Sequence, residues 1–200
     1  MDTTIRNLDP DLRARLTALF DEGWEFWVGF DIEVRRNEWH PFVPSDYERL
    51  LPTLLALREP GRRFLEWGSG NGVITIMADL LGFEAYGIEL DAGLVETARA
   101  LAKRHGSSAR FETGSFIPSG YRWTSRTGDD RTGTIGDGPS AYPRLGYPLD
   151  EFDLVHGYPW MGEEALMLDL MQRRGGPEAT LLLDDGRGGT QLYRKGRRVA

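Results

Sequence analysis

The sequence contains no cysteine, which removes disulfides, thiolate metal sites and cysteine nucleophiles together. Its three histidines lie far apart in the chain, so no metal-binding set is spelled out either. No uninterrupted apolar run approaches the ~18 residues of a membrane-spanning helix, and the opening MDTTIRNLDPDLRARL lacks the apolar stretch of a secretion signal. The expectation is a soluble, cytoplasmic protein with no membrane partner. Basic charge is short as well: 24 Lys and Arg stand against 31 Asp and Glu, a net charge of −7. Such a field disfavours nucleic acid as a partner. The one dense basic cluster, Arg194, Lys195, Arg197 and Arg198, reads as a solvated end.

What is present suffices for one folded domain. Forty per cent of the residues are hydrophobic, with six Trp, nine Phe and seven Tyr, ordinary values for a globular chain. Asp9 before Pro10 marks a helix start, and Leu12, Leu16, Leu19, Phe20, Trp27 and Phe30 then share one face, with Gly23 as a candidate break. Trp24, Phe26, Trp27 and Phe30 exceed what one buried stripe needs, which leaves two uses: packing on a sheet, or a homodimer contact through this helix. Ser45 with Glu48 forms a capping box ahead of Leu50, Leu51, Leu54 and Leu55, and Pro52 bends this second helix or sets its start later.

From Arg63 the pattern changes to short apolar runs, RFLEW, EAYGIE, ARFET, FDLVHG and ATLLLD, alternating with helical segments at 71–81, 91–105 and 161–174. That alternation predicts a mainly parallel sheet with crossover helices. After ATLLLDD only GRGG precedes TQLYRK, too short for a crossover, so the last strand returns antiparallel through a tight turn. Residues 118–148 follow neither period and are rich in Gly, Ser, Thr, Asp and Pro. A loop of this length is either a lid, which Tyr121, Trp123 and Tyr142 would suit, or a disordered insert.

The stretch FLEWGSGNG carries the chemistry. Glycines at 68, 70 and 72 follow a strand that ends in an acid, Glu66. Counted from Gly68 or from Gly70, the loop fails the G-x-G-x-x-G dinucleotide fingerprint, and no Gly-Lys-Ser/Thr follows for a phosphate loop. A second acid, Glu89, ends the next strand 21 residues after Gly68, where a carboxylate can accept from two ribose hydroxyls.

This acid-x-Gly-x-Gly-x-Gly pattern with Glu89 resembles motif I of the Rossmann-like S-adenosylmethionine-dependent methyltransferases. The resemblance implies an α/β three-layer sandwich with a mainly parallel sheet and an antiparallel last strand over the domain at 41–200; the opening helix, read as a helical extension over 1–40, and the loop insertion at 118–148 fall outside it. It implies S-adenosyl-L-methionine as cofactor, held by Glu66, Gly68, Ser69, Gly70, Gly72, Glu89 and Leu90, by Ser115 and Phe116 at the adenine, and by Tyr158. Glu66 would favour the ammonium end, and the glycines would let the ligand lie on bare backbone.

The acceptor is less sharply marked. GYPW after the fourth strand has one proline and no Asp or Asn, unlike the Asp/Asn-Pro-Pro-aromatic of amino-methyltransferases acting on adenine or glutamine. Phe42, Val43, Pro44 with Gly157, Tyr158, Pro159 resemble small lysine methyltransferases of the archaeal and ATP-synthase c-subunit type, over 40–117 and 152–195. Tyr158 and Trp160 are then the candidates for the acceptor wall, favouring a neutral amine by desolvation. A protein lysine leads as acceptor and a small molecule follows. A non-catalytic cofactor-binding module and a nicotinamide oxidoreductase are the rivals. His156, inside a strand, reads as a core residue; His40 and Tyr47 are further candidates beside the cofactor.

Overall fold

The computed structural model describes residues 8–38, 40–123, 138–160, 162–184 and 189–199. Helix α1 (Pro10–Phe30) starts where Asp9 Oδ1 accepts from the N–H groups of Asp11 and Leu12, at 3.0 and 3.2 Å. It runs through Gly23 without a break. A Cβ at Gly23 would stand 2.6 Å from Val73 Cγ2 and 3.3 Å from the Tyr47 ring, so this glycine serves a close helix crossing. The helix then widens into a π-helical turn at Asp31–Arg35, held by Arg35 and Arg36 on the Asp31 carboxylate. Helix α2 (Tyr47–Leu57) is capped by Asp46, which accepts from Arg49 N–H at 3.2 Å. The sequence pointed to Ser45 as the cap. Both residue types suit the role, and Ser45 is instead buried.

Strand β1 (Arg63–Trp67), helix α3 (Val73–Leu80), strand β2 (Glu84–Glu89), helix α4 (Ala92–Arg104) and strand β3 (Arg110–Thr113) follow in the expected alternation. After the short helix α5 (Tyr142–Leu145) come β4 (Leu154–Gly157), α6 (Glu164–Arg174), β5 (Thr180–Asp184), β6 (Thr190–Arg194) and β7 (Arg197–Arg198). The sheet order is β3-β2-β1-β4-β5-β6-β7, parallel from β3 to β5, with β6 and β7 antiparallel. The antiparallel return of β6 matches the sequence expectation; the turn before it, at 185–188, lies outside the described residues. The basic tail folds into a hairpin, where Lys195 (φ 50°) and Gly196 (φ 70°) make the left-handed pair that such two-residue turns need.

Alternation along the strands sends residues to two cores. Phe64, Ala85, Leu154 and Leu182 face α1 to α4; Leu65, Trp67, Tyr86, Val155 and Leu183 face α5 and α6. The 124–137 part of the long segment lies outside the described residues. Its flanks are packed. Ser115 N–H donates to Pro139 O at 2.9 Å, Tyr121 Oη donates to Asp169 at 2.6 Å, and buried Tyr142 accepts from Trp67 Nε1 at 3.0 Å. Tyr142 is therefore a core residue where the sequence suggested a lid aromatic. The rings of Phe26, Trp27 and Phe30, offered by the sequence to a sheet or a second copy, close around Phe42 with centroids 6.3, 5.5 and 5.4 Å away. Among the described residues no helix is long and apolar enough to cross a membrane.

Candidate functional site

β1 and β4 are neighbours from which the chain leaves in opposite directions, to β2 and to β5. A parallel sheet opens a crevice at the carboxyl ends of such a pair. Glu66 stands there in register with His156 of β4 on one side and Gly87 of β2 on the other. Glu66 is 5 % exposed. Thr75 Oγ1, in the first turn of α3, donates to its Oε2 at 2.5 Å, and His156 Nδ1 lies 3.6 Å from its Oε1, just outside hydrogen-bonding distance.

The glycine turn stitches this acid to the second one. Gly68 and Ser69 both donate to Ile88 O at 2.9 Å, and Gly70 N–H donates to Glu89 Oε2 at 2.9 Å. Gly70 and Gly72 have φ of +52° and +83°, and a Cβ on them would come within 2.3 Å of the Phe42 ring and 2.7 Å of Ala98 Cβ. Both the backbone conformation and the close approach exclude a side chain.

The second oxygen of Glu89 accepts from Asp91 N–H at 3.0 Å. Burial pushes the Glu89 carboxyl above the usual carboxylate range, against the opposing pull of the Asp91 and Gly70 N–H groups. Asp91 goes the other way. Burial raises it, but the Leu94 N–H it caps at 2.9 Å and His40, 3.3 Å away, outweigh that and hold it below its ordinary value.

Two narrow clefts meet at this turn. One, of about 20 Å³, runs among Tyr47, Glu66, Ser69, His156 and Tyr158. The other, of about 90 Å³, runs among His40, Glu89, Leu90, Asp91, Tyr158 and Trp160. Phe42, Val43, Gly68 and Tyr158 wall both. Tyr47 Oη, Ser69 Oγ and both ring nitrogens of His156 are buried without a hydrogen-bond partner, although buried polar atoms are rarely left so. A third cleft, of about 240 Å³, opens beyond Trp160 among Glu164, Asp184 and Gln191.

The structure thus brings Glu66, Gly68, Ser69, Gly70, Glu89, Leu90, Tyr158 and Trp160 together, whereas Gly72, donating to Ser69 O at 2.8 Å, closes the turn against Ala98 and Phe111 and lines neither cleft. Ser115 and Phe116 line neither cleft, but they follow directly on Gly114, whose N–H donates to Glu89 O at 2.8 Å. The N–H of Ser115 is taken by Pro139 O, its hydroxyl accepts from Ile117 N–H at 3.1 Å, and Phe116 stacks on Trp67 at 4.9 Å in the α5–α6 core. Thr75 and His156 were missed as members of the Glu66 environment. A polar residue inside an apolar run, Thr75 in VITIMA and His156 in LVHG, was the available signal.

Known proteins bear on this geometry. No family model matches the chain. A ribosomal protein L11 methyltransferase of Thermus thermophilus is 34% identical over 114 residues, 56% of this chain and 44% of that protein. The protein of the same name from Ralstonia nicotianae is 36% identical over 63 residues, 31% of this chain and 21% of its own length. The chain therefore spans less than half the length of the curated relatives it matches. An RNA methyltransferase of Salinibacter ruber, solved in complex with S-adenosyl-L-homocysteine, superimposes with a TM-score of 0.52 at 20% identity, covering 76% of this chain and 92% of that one. The fold is that of the Rossmann-like S-adenosylmethionine-dependent methyltransferases. For a methyltransferase fold the two clefts are chemically apt: an acid among orphaned polar atoms suits a cationic amino-acid end, and Glu89 beside Leu90 and Trp160 suits a nucleoside.

Proposed function

We propose that the chain binds S-adenosylmethionine across the carboxyl ends of β1, β2 and β4 and directs its methyl group to an amine on a protein side chain, foremost lysine. The observation that carries the reading is the pair of buried acids, Glu66 and Glu89, joined through the bare backbone of Gly68 to Gly72. Glu66 holds the ammonium, and Glu89 accepts from the ribose hydroxyls. When bound, the cofactor would supply a methyl on a sulfonium: the amine lone pair would form an N–C bond as the C–S bond breaks, S-adenosylhomocysteine would leave, and the amine proton would pass to solvent. The protein's part is alignment and water exclusion. Tyr158 and Trp160 wall the meeting point and favour the uncharged amine by desolvation, a requirement because a free lysine titrates near ~10.4.

Two observations favour a protein amine: the acidic net charge of −7, and the acidic side chains Glu164 and Asp184 at the third cleft, which suit a cationic acceptor approaching Trp160. The names of the curated relatives agree with a protein acceptor. The RNA substrate of the structural relative makes RNA the second reading. The test is to incubate the protein with methyl-labelled cofactor and a cell extract, then count label in protein, RNA and small-molecule fractions. Label in protein that survives nuclease is expected; label confined to RNA or to small molecules would reject the acceptor class.

A further inference from the structure

We propose that His156 is a recognition residue for the ammonium-bearing end of the cofactor, sharing this ammonium with Glu66. The inference rests on the cofactor reading above and assigns a residue that neither the glycine motif nor its two acids include. Strand alternation turns Leu154 and His156 toward α1 to α4, a position that a further leucine or valine would fill at no polar cost. Instead an imidazole 1 % exposed keeps both nitrogens unpartnered, and burying such a group without partners disfavours folding. Phe64 stacks on the ring at 6.5 Å, which satisfies neither nitrogen.

The unpartnered atoms gather where a ligand is expected. His156, Tyr47 Oη and Ser69 Oγ line the same cleft as Glu66. A neutral imidazole has one donor and one acceptor. With Nδ1–H turned toward Glu66 Oε1, at 3.6 Å, the Nε2 lone pair remains for one N–H of an ammonium, whose three donors then find Glu66, His156 and a hydroxyl. Around His156 stand Glu66 from β1, Tyr47 from α2 and Tyr158 beyond β4, with Thr75, Asn71 and Ser69 from α3 and the turn before it and apolar Leu182 from β5.

The experiment compares two ligands by calorimetry: S-adenosylhomocysteine, and 5′-methylthioadenosine, which keeps the nucleoside thioether and lacks the amino-acid end. Their affinity ratio cancels every effect on the ribose side, Glu89 included. His156→Phe should lower the ratio about tenfold at pH 7.5, with methylthioadenosine binding reporting an intact fold. His156→Gln, which retains one donor and one acceptor, should keep part of the ratio. A His156→Phe protein with the unaltered ratio would overturn the proposal. If His156→Phe fails to fold, an unaltered ratio in His156→Leu overturns it equally. Failure of the unaltered protein to bind either ligand would sink the cofactor reading itself, a result distinguishable from the loss of His156's role alone.

Discussion

Glu89 occupies a position that favours a ligand at the expense of the empty protein. Its carboxylate accepts from Gly70 and Asp91 N–H groups, yet burial dominates and raises its pKa. A carboxyl whose folded value is raised takes up protons more readily folded than unfolded, so its stability contribution is present at low pH and declines as pH rises through that value. In the role proposed for Glu89, ribose hydroxyls need the ionised acceptor, so ligand affinity runs the opposite way and falls as pH drops through the raised value. Two results follow. Glu89→Ala should lower S-adenosylhomocysteine affinity about tenfold to a hundredfold, the loss of a charge-assisted hydrogen bond of about 1.5–3 kcal/mol, read by calorimetry. Glu89→Gln should bind weakly at every pH from 4.5 to 7.5 and unfold no more easily than the parent at pH 7.5. Both glutamates were legible in the sequence because a strand ending in an acid beside alternate glycines has few other uses. The environment of Glu66 was not, because Thr75 and His156 come from elements whose pairing appears only once the sheet order is known.

Elements were more readable than their ends and crossings. The run RFLEW coincides with β1 and EAYGIE with β2, since a buried parallel strand is a short apolar run between turn signals. Gly23 misled, because a glycine that permits a helix crossing has the same spelling as one that breaks a helix. Its role yields a paired prediction. Gly23→Ala places a Cβ 2.6 Å from Val73 and should cost about 1–3 kcal/mol by overpacking. Gly29→Ala, with nothing within 4 Å of the new atom, should stabilise by about 0.5–1 kcal/mol on helix propensity alone; urea unfolding of both variants checks the contrast. Tyr142 was hidden by its surroundings, a polar, glycine-rich segment that shows no period. Tyr142→Phe strands the buried Trp67 Nε1–H, 3.0 Å from the hydroxyl it loses, and should cost about 1–3 kcal/mol in the same assay.

On the scale of the whole molecule, a two-sided sheet lets one core take α1 to α4 and the other α5 and α6, and the crevice at the β1–β4 divide is where the cofactor site is proposed. α1 reaches that crevice through its aromatic face. By closing Phe26, Trp27 and Phe30 around Phe42, it sets the ring that rests on Gly70. The acidic surface of the molecule bears on its acceptor. If the acceptor is the basic protein proposed above, a net charge of −7 steers it toward the site, so kcat/KM for a lysine-rich acceptor should fall several-fold as ionic strength rises from about 0.05 to about 0.5 M; an RNA acceptor would gain from the same salt at first through reduced repulsion. The central claim is that the glycine turn and its two acids bind a sulfonium nucleoside. A calorimetric titration of the protein at pH 7.5 with S-adenosylhomocysteine and, separately, with NAD tests it most directly. Saturable one-to-one binding of the sulfur ligand, lost in Glu89→Ala, with no heat from NAD, is the predicted result; binding of NAD with none of S-adenosylhomocysteine would contradict it.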